Sequence, residues 1–193
     1  NNLFLQAKEI GYRFYLQQRE SENKKPIISF LARRKFKVEH FDGFVAKNNR
    51  IYPKSNKAFQ KDPDRLIGIF QHAQVRHLRL APELSDRIKR NWKMINREFR
   101  YSDANRDTFE AILSRKGDVS RALREMHSSG ILGRYLPEFG ALTNLVQHEF
   151  FHRYSADEHT LRVTEELDKL ILESEDQRKS LYKEIYQEIE DPF

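Results

Sequence analysis

Apolar residues recur at helical spacing along most of this chain and alternate strictly with polar ones over only one short stretch. Leu5, Ile10, Phe14 and Leu16 are spaced for the buried stripe of a helix over residues 3–21, which "SENKKP" then interrupts. Between Phe36 and Tyr52 the period shortens to two. There "FKVEHFDGFVAKNNRIY" alternates, and Asp42-Gly43 stands where a hairpin turn needs residues that tolerate positive φ. Helical spacing then returns. Asp62-Pro63 reads as an N-cap with proline at the first helical position, and Leu66, Ile67, Phe70 and Ala73 form the stripe of the helix it starts. Pro82 starts another, with Leu84, Ile88, Trp92 and Ile95 at steps of four and three. Further helices fit 103–114 and 118–127, the second closed by Ser128-Ser129-Gly130, where glycine can adopt the left-handed cap.

One helix begins near Pro137, and the stretch "SADE" at 155–158 opens the next as a capping box. In such a box the Ser155 hydroxyl accepts from the Glu158 amide while the Glu158 carboxylate reaches back. The helix opened there carries His159, Val163, Leu167 and Leu170 on one face, which predicts an inward His159. A last helix over 175–190 presents Leu181, Ile185 and Ile189. The predicted fold is mainly α, a helical bundle with one small β-hairpin near 36–52.

Composition narrows the setting. A chain of 193 residues is long enough to bury a real core. It has no cysteine, hence no disulfide framework and no thiolate metal site, which fits a reducing, cytoplasmic environment. The longest apolar run, "PIISFLA", is too short to span a bilayer. Because the sequence starts at Asn1 and enters directly on a helical pattern, it is expected to be an internal piece of a longer polypeptide. Charge is unevenly placed: the net +6 divides into +13 over residues 1–156 and −7 over 157–193, which hold 12 acidic and 5 basic side chains. The imbalance fits a nucleic-acid surface on the first part, or two segments that attract one another, and the second reading is the simpler one.

"HEFFH" at 148–152 has the H-E-x-x-H spacing of zinc peptidases. Those sites need a third ligand and a continuous helix. The helix start at Ser155 forces a bend just after His152, and Glu158 occupies the place of the third histidine in the extended pattern. His148, Glu149 and His152 therefore lack the rest of a peptidase site. His40, His72, His77 and His127 read as surface or helix-end residues. His159, placed inward, is left with two readings: a satisfied core histidine or a ligand.

Residues 122–163, "ALREMHSSGILGRYLPEFGALTNLVQHEFFHRYSADEHTLRV", resemble the bifunctional uridylyltransferase/uridylyl-removing enzymes that modify the nitrogen-signalling protein PII. Blocks similar to L-R-x-M, G-x-L-G-R-Y-x-P-E-F-G and Q-H-D-x-x-H-x-Y-[TS]-V-D-E-H-T-L occur in order. Glu149 stands for the usual aspartate and Ala156 for the common valine. The similarity extends upstream through "DGFVAKNNRIYPKSNKAFQKDPDRLIGIFQHAQ", so that it covers roughly residues 30–170.

The resemblance implies a division of labour. In that family a nucleotidyltransferase domain transfers UMP to PII, an HD-type phosphohydrolase domain removes it, and ACT domains sense glutamine. The Gly-Ser turn and paired aspartates of the first are not in this chain. By the resemblance, residues 1–135 are the helical connector region behind it and 136–193 are the truncated N-terminal part of the HD domain. His159 in "DEHT" then carries over as a metal ligand of the intact parent, toward a divalent cation of the Mg or Mn type. His148, Glu149, His152 and Asp157 are candidates for positioning it. The His-Asp dyad would come after Phe193, so the chain alone is expected to hold no cofactor and to be inactive. Expected partners are PII and, through HD helices cut from their neighbours, a second copy; no membrane is expected and nucleic acid is not favoured. The alternative is a basic helical nucleic-acid-binding or scaffold module.

Overall fold

The computed structural model describes residues 38–143 and 155–172, with 182, 184–186, 188 and 189. The helix expected over 3–21, and His148, Glu149 and His152, lie outside the described residues. The described residues all belong to the compact unit that begins at Lys37.

The alternating stretch forms three antiparallel strands, β1 (Glu39–Phe41), β2 (Phe44–Lys47) and β3 (Arg50–Pro53). Asp42-Gly43 makes the first turn with φ of 39° and 79°, and Asn48-Asn49 makes the second with 51° and 59°. Both turns have positive φ at both centres, the geometry whose twist matches the flanking strands. Phe44, Ala46 and Ile51 point into the core, while Val45 and Lys47 point away from it. The sheet exceeds the expected hairpin. A two-residue strand, β4 (Arg79–Leu80), adds in parallel to β3, giving the order β1-β2-β3-β4.

The crossover between β3 and β4 carries α1 (Ala58–Lys61) and α2 (Arg65–Val75). Leu66, Ile67, Phe70 and Ala73 are all buried, as their spacing predicts. The start of α2 differs from expectation by two residues. The Asp62 carboxylate accepts from the Asp64 amide at 3.2 Å, and regular helix begins only at Arg65. Asp62-Pro63 thus builds a turn ahead of the helix rather than its cap. Downstream, α3 (Pro82–Arg90) starts on its proline and buries Leu84 and Ile88. It then tightens into a 3-10 turn at Trp92–Met94, so Trp92 and Ile95 pack on the core only from its margin.

Four further helices follow, α4 (Arg97–Arg100), α5 (Asp103–Leu113), α6 (Val119–Ser128) and α7 (Leu132–Tyr135). Gly130 takes the left-handed conformation that ends α6, with φ of 75°. Buried Gln74 of α2 donates to the carbonyls of Ile112 and Asp118, both at 3.0 Å, and so ties α2 to α5 and to the start of α6. Short α8 (Pro137–Leu142) comes next, and α9 (Ala156–Leu172) lies along α6. Leu161 of α9 belongs to the same apolar core as Phe44, Phe70 and Met126. The fold is mainly α. Among the described residues no helix is long and apolar enough to cross a membrane.

Candidate functional site

The contact of α6 with α9 gathers the charged chemistry. The inward face of α9 is made of Asp157, Leu161, Thr164 and Asp168, all buried and spaced four, three and four residues apart. His159 and Val163 are exposed, and Leu167 and Leu170 are half-buried. The expected orientation of α9 is therefore corrected: His159 stands about half a turn away from the face that packs, on the opposite side of the helix. The physical reason lies in α6, whose polar residues supply partners for carboxylates that would otherwise be solvated.

Arg124 of α6 is the centre of this contact. Its two terminal nitrogens donate to the two Glu158 oxygens, each at 3.1 Å, and its Nε donates to Glu165. These carboxylates hold the guanidinium proton more tightly than usual, Glu165 most of all. Glu158 also meets Arg162 one turn on, at 3.5 Å.

His127, also on α6, stands 3.4 Å from Asp157 and edge-on to Phe139 of α8, with ring centroids 5.6 Å apart. Burial lowers its pKa below the usual 6.5; the Asp157 and Glu158 carboxylates oppose this, and Arg124 adds to it. Burial thus disfavours the charged imidazole that a full ion pair with Asp157 would need. Because the folded-state pKa is depressed, the unfolded chain takes the proton first as pH falls below about 6.5, and stability is lost in that direction. Melting temperatures measured from about pH 8 down to about pH 5.5 should fall below that point, and less steeply in His127→Gln. Identical slopes in the two proteins would remove His127 from the account.

At the far end of the contact, Asp168 accepts from the amides of Gly117, at 2.9 Å, and Ser120, at 2.7 Å. It serves the N-terminus of α6 because the nearer candidate, Asp118, is held by Arg121 at 2.6 and 2.7 Å and makes no cap bond. Asp168, Arg124, Glu165 and His127 were not singled out from the sequence. Their only local trace is spacing: Glu158 and Glu165 are seven residues apart, as are Leu161 and Asp168.

Of the residues expected at a site, Asp157 is buried against His127, and its Oδ1 meets no hydrogen-bond donor among the described residues. His159 is exposed and joins the helix through its backbone, its amide donating to Ser155 at 2.9 Å. Among the described residues no three His, Asp or Glu side chains come together in a way that could hold a metal. As a donor toward a divalent cation, the exposed imidazole of His159 fits. Asp157 and Glu158 are turned to α6.

A helical domain capped by a small four-stranded sheet and clasped to a later helix through Arg124 and Asp168 is the class of protein these features define. Residues 44–135 match the family model "Uridylyltransferase GlnD third domain". Among curated proteins, the bifunctional uridylyltransferase/uridylyl-removing enzyme of Azospirillum brasilense is 33% identical over 167 residues, covering 82% of this chain and 17% of that enzyme. No solved structure matches. The chain belongs to the family of bifunctional uridylyltransferase/uridylyl-removing enzymes and spans about a sixth of the length of the curated relative it matches.

Proposed function

We propose that this chain is the third domain, with the leading helices of an HD-type phosphohydrolase domain, of an enzyme that attaches UMP to the PII signal protein and removes it. The observation that supports this best is the position of "DEHT". It lies beyond the matched third domain, and it sets an exposed His159 on a helix whose other face is fixed to that domain by Arg124 and Asp168.

In this reading His159 donates to a divalent cation of the Mg or Mn type. Such a cation, when bound, activates water and neutralises phosphate charge. The chain's own part is to hold the imidazole: Asp157 and Leu161 bury one side of α9, Glu158 and Glu165 fix its rotation, and His159 is left facing outward. One imidazole cannot bind and activate by itself, so the 193-residue chain alone is inactive in this proposal, and the removing activity belongs to the longer protein.

The test is His159→Ala in the full-length protein, with both activities assayed in the same preparation. Uridylyl removal from PII should fall by roughly 100-fold or more, as expected on losing a metal ligand, while UMP transfer persists. Unchanged removal would reduce His159 to a surface histidine. Loss of both activities would point to a folding defect and speak against a ligand role.

A further inference from the structure

Resting on that metal reading, we infer that Arg124 of α6 is a positioning residue for His159, so that the third domain sets where the metal-ligating helix stands.

Glu158 and Glu165 lie two turns apart on one face of α9, and a single guanidinium engages both. A contact at one point would leave a helix free to rotate about its axis. Two points in line, one of them a fork against a fork, fix rotation and translation together. The consequence for His159 is geometric, since it directly follows Glu158 in the chain. Its ring sits at about the outer radius of the helix, some 5 Å from the axis, so a rotation of about 20° would carry it about 2 Å. Metal-ligand distances tolerate only about 0.2 Å. Asp168 anchors the far end of α9, nine residues beyond His159, and Asp157 and Leu161 bury the helix, so Arg124 is the polar clasp on the turn that carries His159.

Chain order adds a second argument. Arg124 lies within the matched span 44–135, whereas Glu158, His159 and Glu165 lie beyond it. The clasp therefore crosses from the third domain onto the helix of the next segment. Lysine could not replace it fully, because an ammonium lacks the planar fork that serves one carboxylate with two N–H groups and a second with another.

The experiment uses the full-length protein and manganese alone as probe. Mn2+ binding is titrated in the unmodified protein, Arg124→Met, Arg124→Lys, His159→Ala and Arg124→Met/His159→Ala, following the site that His159→Ala removes. Arg124→Met should weaken that site by roughly tenfold or more, as a lost supporting residue does, with Arg124→Lys between it and the unmodified protein. Uridylyl removal should fall in parallel while transfer does not. In the double variant, Arg124→Met should add nothing to the loss already caused by His159→Ala. Lys169→Ala, which breaks an exposed pair with Glu166 on the same helix, should change none of these. Unaltered Mn2+ affinity in folded Arg124→Met overturns the inference, as does an equal additional loss on the His159→Ala background. Should Arg124→Met fail to fold, Arg124→Lys decides alone, and full affinity there overturns it too. If His159→Ala leaves every Mn2+ site intact, the metal reading itself fails and the positioning role goes with it.

Discussion

Gly140→Ala will lower the melting temperature of this chain, and Gly68→Ala will raise it. Both glycines sit in helices, so propensity alone would favour alanine at each by up to about 1 kcal/mol. Space decides the sign. A Cβ on Gly140 would lie 2.3 Å from the Gly133 carbonyl oxygen and 3.1 and 3.2 Å from its C and Cα. All three are backbone atoms, so no side chain can rotate away, and α7 and α8 must separate. The α7 helix resists this because its Leu132 and Tyr135 are buried, the latter with its ring 5.1 Å from Phe109 and 6.3 Å from Phe99. Overpacking of this kind costs about 1–3 kcal/mol, or a few degrees per kcal/mol in a domain of this size. Around Gly68 a Cβ would meet nothing within 4 Å, so only the gain from restricting the unfolded chain remains, about 0.5–1 kcal/mol. Thermal unfolding of the two variants beside the unmodified chain checks this, and a neutral Gly140→Ala would show that the helices have room to move.

Neither the crowding at Gly140 nor the space at Gly68 can be read from the chain, whereas features set within a few residues can. Stripe residues Leu66, Ile67, Phe70 and Ala73 are buried as spaced, the Asp42-Gly43 turn is where its residues place it, and Gly130 caps α6. Strand β4 escaped because two residues carry no periodicity; Arg79-Leu80 is a strand only because β3 offers an edge for it. The close approach of Gly133 to Gly140 is likewise invisible until the short helices are folded on each other.

The site was legible by resemblance more than by pattern. "DEHT" drew attention to His159 and Asp157, yet periodicity turned α9 the wrong way. An apolar stripe through Val163, Leu167 and Leu170 looked like the buried face, whereas the face that packs includes two aspartates and a threonine. Carboxylates normally read as solvated, and they are buried here because α6 brings Arg124, His127 and its own amide terminus from some forty residues upstream. Complementarity of that kind is a property of pairs of segments. Neither segment shows it alone.

Asp168→Ala will destabilise the chain by about 3 kcal/mol, more than any exposed charge on the same helix. Its carboxylate is 4% exposed and accepts two amide hydrogens at the start of α6, at 2.9 and 2.7 Å. Each is a charge-assisted bond, contributing about 1.5–3 kcal/mol, and the carboxylate also faces the positive end of the helix dipole. The desolvation of a buried anion offsets part of this, which keeps the net effect near that of one strong bond and its cap. Asp118 cannot take over, since Arg121 holds both of its oxygens. Asp168→Asn is therefore expected to recover little: its amide oxygen can accept one of the two N–H groups, but its NH2 would face the other, donor against donor. Glu166→Ala, which removes an exposed partner of Lys169, should cost less than about 0.5 kcal/mol. Denaturant midpoints at unchanged slope give the three values, and faster exchange of the Gly117 and Ser120 amides in Asp168→Ala would locate the damage. A loss below about 1 kcal/mol, with those amides still protected, would mean that water or a neighbouring side chain caps α6 as well as Asp168 does, and that α9 is not needed to finish the third domain's last long helix.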